Sequence, residues 1–420
     1  MLATLKNSWH VPELRKKIIY TVLMLLVYRL AGVIPVAGIN VEAIREAMGR
    51  FALLDFMSMM TGNQFSNMTV MAMGIQPYIN ASIIMQLLTY AIPALERMQK
   101  DGGEEGRKKI ARITRYVTVV IGFIMAVGLV YGLRGNREKG PLGAIIIGLS
   151  MAAGSALAMW IGERITENGV GNGISLLIFS GIVSNLFGWT SRGIGTLFSG
   201  AGIMNWVVML GVIVLACLMI LGITFVNRGE RRIPVQYAKR VVGRKMYGGQ
   251  STHIPLKVDS SGVLPLIFAS SFMSFPGTIM GFFPNSAIAK WWNSRFLPGF
   301  LYQLVFALLI IAFAYFYSSI TFNPGDISKN LQQNGGLIPG TRGGKPTADY
   351  LARVSHRLIL FNGIFLALLA VIPTYITRGF GIQLPFAATS LLIGVSVALE
   401  TVHALEVQLK ERNYMDGGFL

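Results

Sequence analysis

The chain has 420 residues, of which 53% are hydrophobic and only 13% are charged. Soluble domains carry about 25% charged residues, so this composition excludes a soluble globular protein and indicates an integral membrane protein. The net charge is +18, and the single cysteine, Cys217, excludes a disulfide within the chain.

Hydropathy predicts ten membrane-spanning helices, because about 20 mostly apolar residues suffice to cross a bilayer. The predicted spans are residues 18–36, 75–95, 116–133, 142–161, 174–189, 206–226, 263–283, 300–322, 358–376 and 386–405. The first span is too long for a signal peptide and has no cleavage site, so we expect it to be retained. Lys and Arg favour the side of the termini roughly three to one, which predicts that both termini are cytoplasmic.

The segment between the first two spans, residues 51–73, is apolar but interrupted by polar residues and glycine. Residues 53–60 are long enough for about two helical turns, too short to cross a bilayer. This pattern predicts either a short re-entrant helix on the external side or an interfacial helix lying flat on the membrane.

The second span carries two different stripes. Ile75 and Ile79 share one helix face, and Gln76 and Asn80 form a polar stripe about 100° away. Polar groups at membrane depth usually face protein or a water-filled cavity. The pattern therefore indicates either hydrogen bonding between helices or a helix that lines a pore.

The second span of each five-span half begins with the same spacing, Gly74-x-x-Pro77 and Gly262-x-x-Pro265. An odd number of spans per half inverts the second half. Matching breaks of this kind are typical of inverted-repeat transport proteins, although two unrelated kinks would give the same spacing. We expect proline to bend or unwind the start of each helix.

The three long loops on the side of the termini are basic. Residues 227–255 alternate basic with apolar or aromatic residues, which predicts a β-like hairpin that projects from the membrane. Such loops attract acidic partners. The alternative is cytoplasmic retention of positive charge alone, but that needs only a few charges. The eight Lys and Arg of residues 227–257 exceed that need, so we favour a docking surface. The run from Gly169 to Ile174 is similar to part of a phosphate loop, but its position before a span favours a helix cap.

Five long motifs, taken in chain order, resemble the SecY family of bacterial protein-conducting channels. They are GIQPYINASIIMQLL, GERITENGVGNGIS, RRIPVQYAKR, STHIPLKVDSSGVLPLIFAS and FNPGDISKNLQQNGGLIPGTRGGKPTADYL. The resemblance implies an all-α integral membrane protein with ten transmembrane helices in two inverted five-helix halves and a short re-entrant plug helix. It implies a cytoplasmic N-terminal segment at 1–17, an N-terminal half at 18–190 with the plug at about 51–62, an external connection at 191–205, a C-terminal half at 206–407, docking loops at 227–257 and 323–357, and a cytoplasmic tail at 408–420.

By the same resemblance, the chain translocates unfolded polypeptides and releases membrane segments sideways into lipid. The implied pore ring is Ile75, Ile79, Ile174, Ile178, Ile267 and Ile393. The implied plug residues are Leu53, Leu54, Phe56, Met57, Met60 and Gly62. The implied lateral gate, between spans 2/3 and 7/8, includes Gln76, Asn80 and Asp259, the last in place of the asparagine common in the family. The implied docking residues are Arg231, Arg232, Lys239, Arg240 and Arg342.

The implied partners are the small membrane subunits SecE and SecG, the SecA ATPase motor, the ribosome, signal sequences, nascent polypeptides and anionic phospholipids. The implied location is the bacterial cytoplasmic membrane. No catalytic residue, metal site or cofactor is expected, because the four histidines are scattered and no Walker motif is present. A secondary carrier of small solutes is the alternative from another class, and an intramembrane protease is a more distant one.

Overall fold

A computed structural model describes residues 8–39, 41, 58, 61–132, 141–198, 203–237, 240–242, 245–247, 251–259, 262–282, 286–297, 299–380 and 388–415. The first half contains helices α1 (Pro12–Ala31), α2 (Gln76–Ala91), α3 (Pro93–Lys100), α4 (Gly103–Gly132), α5 (Pro141–Asn168) and α6 (Gly173–Phe198). The second half contains α7 (Ile203–Arg228), α8 (Leu264–Phe282), α9 (Ala287–Trp291), α10 (Phe300–Thr321), α11 (Pro324–Gln333), α12 (Lys345–Phe380) and α13 (Ala388–Met415). Each predicted span overlaps one of these helices.

Several helices are long and apolar enough to cross a bilayer. Within the described ranges these are Gly103–Val130, Leu142–Asn168, Phe300–Gln333, Lys345–Pro373 and Ser390–Glu411. Together, α2 and α3 are apolar enough to form one broken span or a re-entrant loop, with a bend of 104° between them. Helix α1 falls short because Arg15, Lys16, Lys17 and Arg29 lie within it. These helices indicate a multi-pass protein, and the total of ten crossings stays a prediction.

Helix α2 ends earlier than hydropathy predicts, at Ala91 instead of residue 95. Proline lacks a backbone N–H and disfavours the helical conformation in the residue before it. Accordingly Ile92, which precedes Pro93, is extended, with φ −107° and ψ 112°. The chain turns there into the short helix α3.

The two Gly-x-x-Pro entries have matching backbone geometry. Gly74 and Gly262 have φ of 52° and 58°, a left-handed conformation that favours glycine. Helices α2 and α8 begin two residues later, and Pro77 and Pro265 each occupy the second helical position. Proline is tolerated there because the N–H it lacks has no partner within the helix. The expected unwinding is therefore a sharp turn before each helix.

The predicted hairpin is present. Strand β1 (Glu230–Tyr237) pairs antiparallel with β4 (Ser251–Lys257), from Glu230 opposite Lys257 to Gln236 opposite Ser251. Strands β2 (Arg240–Val242) and β3 (Lys245–Tyr247) pair antiparallel between them. Strand β5 (Gly336–Leu337) adds to the free edge of β1 and was not predicted.

The two basic loops at 227–257 and 323–357 share one small hydrophobic core. Its buried residues are Ile233, Val235, Leu256, Leu331, Ile338 and Leu351, from β1, β4, α11, α12 and the chain between them. The two loops are therefore one folded unit rather than independent projections. Burial of these side chains from both loops fixes the exposed basic residues relative to one another.

The run from Gly169 to Ile174 is a helix cap, as its position indicates. The side-chain oxygen of Asn172 accepts hydrogen bonds from the N–H groups of Ile174 and Ser175, at 3.0 and 3.3 Å. These are orphan donors at the start of α6, which a capping side chain satisfies. The cap sets where Ile174 enters the bundle.

Candidate functional site: an isoleucine cluster and a polar seam

The six isoleucines of the implied pore ring all belong to, or pack against, one large apolar cluster of buried residues. Five of them are buried within it, and Ile174 is half-buried and packs against it. They come from the start of α2, α6, α8 and α13, so both halves contribute. The residues are Ile75, Ile79, Ile174, Ile178, Ile267 and Ile393.

The six isoleucines are alike in chemistry, being β-branched, aliphatic and uncharged, whereas the larger cluster around them also contains aromatic residues such as Tyr28 and Phe268. A narrow constriction lined by aliphatic groups dewets and so blocks ions. Isoleucine is stiff at χ1, so each of these side chains has a well-defined position.

The seam between the halves carries polar and aromatic contacts. The amide of Gln76 in α2 donates to the hydroxyl of Ser271 in α8 at 3.0 Å, and both are buried. Further along, Tyr90 of α2 and Phe316 of α10 meet edge to face, with ring centroids 6.2 Å apart. Helices α2 and α4 both contact α8. The structure thus places Gln76 on this seam.

Asn80 and Asp259, the other two residues assigned to the gate by resemblance, make different contacts. Asn80 points to α4 within its own half, where its amide lies 3.5 Å from the sulfur of Met125. Asp259 precedes α8 and accepts a hydrogen bond of 2.9 Å from the amide of Asn362 in α12. The hydrogen bond from Asn362 to Asp259 therefore connects two segments of the second half.

The side chain of Asp259 is half-buried. Burial raises the pKa of its carboxyl above the ordinary value of 3.8, and hydrogen bonds from Asn362 and from the N–H of Gly262, together with nearby Lys257, oppose that rise. The carboxyl holds the turn that leads into α8. Its partner Asn362 is 2% exposed, so this polar contact is inside the bundle.

A cavity of about 440 Å³ opens between the sheet and the isoleucine cluster. Ile267 forms part of its wall on the cluster side, and Lys257 lies on the sheet side. Glu400, His403 and Asp259 also line it, and the Lys257 ammonium lies 3.2 Å from the His403 ring nitrogen. The lining of the cavity thus combines charged and apolar side chains.

The implied plug residues Leu53, Leu54, Phe56, Met57 and Met60 lie outside the described residues. Gly62 is described and has φ of 68°. It follows Thr61, whose hydroxyl accepts a hydrogen bond from the N–H of Phe65 at 3.2 Å. This turn leads towards the start of α2.

The implied docking residues lie on the folded unit of the two loops. Arg231 and Arg232 are exposed on β1, and Arg232 pairs with Glu230 at 2.6 Å. Arg342 is exposed between β5 and α12. The backbone of Arg240 lies in β2, and Lys239 is outside the described ranges.

Sequence reasoning missed the contacts made by Arg29, Ser271 and Asn362. Arg29 and Asn362 each gave a signal, since a charged or amide side chain within an apolar span usually has a functional partner. Their partners lie 151 and 103 residues away, which periodicity cannot detect. Among the described residues, His, Cys, Asp and Glu form no group that could hold a metal ion.

Several helices of this length and apolar composition define a multi-pass membrane protein. The SecY family model matches residues 69–402. The protein translocase subunit SecY of Streptomyces galbus is 40% identical over 100% of both chains, and that of Bacillus subtilis is 40% identical over 99% of both. The chain belongs to the SecY family.

Solved structures share the fold. A structure described as a protein conducting channel has a TM-score of 0.70 at 21% identity and covers 96% of each chain. Sec61 in the canine ribosome-channel complex has a TM-score of 0.65 at 18% identity, also over 96% of each chain. These similarities confirm the mostly helical channel fold that the sequence predicts.

Proposed function

We propose that this chain forms a channel that moves unfolded secretory polypeptides across the bacterial cytoplasmic membrane and releases apolar segments sideways into lipid. The observation that carries the proposal is that the six isoleucines, from both halves, share one apolar cluster, with five buried in it and Ile174 half-buried against it. A centre of this kind seals against ions yet holds no charge that would trap a passing residue.

In the proposed mechanism a polypeptide enters through the 440 Å³ cavity and reaches the cluster at Ile267. The isoleucine side chains then part around the extended chain. For lateral release the halves separate along α2 and α8, which breaks the contact between Gln76 and Ser271. An apolar segment exposed there partitions into lipid with about 0.8 kcal/mol per buried CH₂.

The proposed partners dock on the folded unit of the two basic loops. Exposed Arg231 and Arg342 suit acidic surfaces such as RNA phosphate or carboxylates, and arginine binds both in bidentate fashion. The relative solved with a ribosome supports the ribosome as one partner. Family membership supports SecA, SecE and SecG, with both termini in the cytoplasm.

The test is ion conductance of the purified chain, reconstituted without polypeptide. We expect Ile79→Gly combined with Ile178→Gly to leak ions, because both substitutions remove aliphatic volume from the seal. Ile145→Gly is the matched control, since Ile145 is 48% exposed on the outside of α5. A carrier of small solutes would lose uptake without leaking, and that result would overturn the proposal.

A further inference from the structure

Arg29 links α1 to the helix that carries two of the six isoleucines. Its Nε donates to the hydroxyl of Ser180 at 2.9 Å, and its Nη2 donates to the backbone carbonyl of the same residue. Ser180 lies in α6, two residues after Ile178. One guanidinium therefore holds α6 through two donors at a point next to the cluster.

The same guanidinium packs against the turn that precedes α2. A methyl group added at Gly62 would lie 2.5 Å from Arg29 Nη1 and 3.1 Å from the α-carbon of Gly181. Gly62 also has φ of 68°, a conformation that favours glycine. The turn, Arg29 and α6 thus meet in a contact with no room for a side chain at position 62.

This contact adjoins the proposed seal. A cavity of about 10 Å³, no larger than one water, lies beside it and is lined by Tyr28, Thr61, Ile75 and Ile178 among others. Ile75 immediately precedes α2, and Ile178 belongs to α6. A shift of α6 away from α1 would therefore open space between two of the sealing isoleucines.

We propose that Arg29 is a positioning residue of the channel, whose guanidinium fixes α6 at Ser180 relative to α1 and the turn at Gly62 and so sets Ile178 in the isoleucine cluster. A charged side chain within an apolar bundle is costly and is usually retained for function. Here that cost is offset by directional bonds to one residue beside the seal. The inference rests on the proposed function of the cluster.

The test compares resting ion conductance in the reconstituted chain with Arg29→Gln, Arg29→Lys and Arg15→Gln. Loss of a hydrogen bond to a charged donor shifts the closed state by about tenfold or more, so we expect a leak of that order in Arg29→Gln. Arg29→Lys keeps the charge but not the paired donors, so its leak is intermediate. Arg15→Gln, an exposed position in α1, leaves conductance unchanged.

Unfolding temperature separates positioning from general stability. A lower unfolding temperature with unchanged conductance in Arg29→Gln would assign Arg29 a structural role only and overturn the inference. If that variant is not recovered in folded form, Ser180→Ala tests the same contact, because it removes one acceptor and leaves the charge in place. A folded Ser180→Ala variant with the same resting ion conductance as the unsubstituted chain would then overturn the inference.

The isoleucine variants distinguish this failure from failure of the proposed function. Suppose that the double variant Ile79→Gly with Ile178→Gly leaks ions and Arg29→Gln does not. The proposed function of the isoleucine cluster would then stand, and only the role of Arg29 would be rejected. Absence of leak in the isoleucine variants would remove the proposed function itself, whatever the Arg29 variants do.

Discussion

Gln76 of α2 and Ser271 of α8 are joined by a buried side-chain hydrogen bond of 3.0 Å that crosses the seam between the two halves. A buried neutral hydrogen bond contributes about 0.5–1.5 kcal/mol, and an unpaired partner costs more. The bond thus holds α2 and α8 together with a free energy that the burial of a few CH₂ groups of an apolar segment would offset.

Ser271→Ala is therefore expected to ease opening of the seam by roughly three- to tenfold. The measurement is translocation of a substrate whose signal segment has been made less apolar, which should rise in the variant. The matched control is Ser82→Ala, which removes a similar bond from Gln86 to Ser82, at 3.4 Å, within α2. Equal gains in both variants would show that the effect does not come from the seam.

The carboxyl of Asp259 predicts a pH-dependent stability. Its raised pKa means that the folded chain binds the proton more tightly than the unfolded chain. The stability from this group is complete below its ordinary pKa of 3.8 and is lost as the pH rises through the folded-state pKa. The ionisable residues Lys257, Glu400 and His403 line the same cavity, and a substitution at position 259 leaves all three in the chain.

Asp259→Asn keeps the shape of the side chain and cannot ionise. We expect its unfolding temperature to depend less on pH than that of the wild-type chain, with the difference between them growing as the pH rises from about 4 towards neutrality. Thermal unfolding of the reconstituted chain over this range is the measurement. Asp349→Asn, at an exposed position, is the control. A constant difference across the range would contradict the prediction.

The sequence predicted the helices well because spans are set by local hydropathy, a property of consecutive residues. It also placed Ile75 and Ile79 on one face, since that follows from helical periodicity. The assignment of Ile267 and Ile393 to the same ring came from the family resemblance and stays a prediction; both lie in the same apolar cluster as Ile75 and Ile79. The predicted end of α2 was wrong by several residues, because hydropathy does not register that Pro93 ends the helix.

Contacts between distant residues were beyond reach of the sequence. Arg29 and Ser180 are paired by the packing of α1 on α6, and no pattern in either helix encodes that choice. Strand β5 has two residues, too few for an alternating pattern. The hydrogen bond from Asn362 to Asp259 joins residues 103 apart in the chain, so it too could not be predicted from a local pattern.

Gly154 in α5 predicts a stability effect from close packing. A methyl group there would overlap the backbone carbonyl of Val70, and backbone cannot rotate away as a flexible side chain can. Overpacking of this kind costs about 1–3 kcal/mol, so Gly154→Ala should lower the unfolding temperature. Gly211→Ala is the matched helical control, because nothing lies within 4 Å of the added methyl group. Equal stability of both variants would contradict this packing argument.

Arg342 provides the test of partner docking. Its side chain is exposed, while Gly340 and Gly344 on either side have φ of 85° and 88° and Thr347 donates to its carbonyl at 2.8 Å. The backbone is thus fixed and the guanidinium accessible. Since a hydrogen bond to a charged group contributes about 1.5–3 kcal/mol, Arg342→Glu should reduce translocation by about tenfold or more.

Insertion of the chain into the membrane should be unaffected by Arg342→Glu, because the position is outside the apolar helices. Lys329→Glu, with the same charge reversal at an exposed position in α11, is the control for a general loss of positive charge. The measurement is ATP-driven translocation in reconstituted vesicles, with insertion followed by protease protection. Normal translocation in Arg342→Glu would rule out this residue as a docking contact, and an equal loss in Lys329→Glu would assign the effect to overall charge, which acts at longer range and is screened by salt.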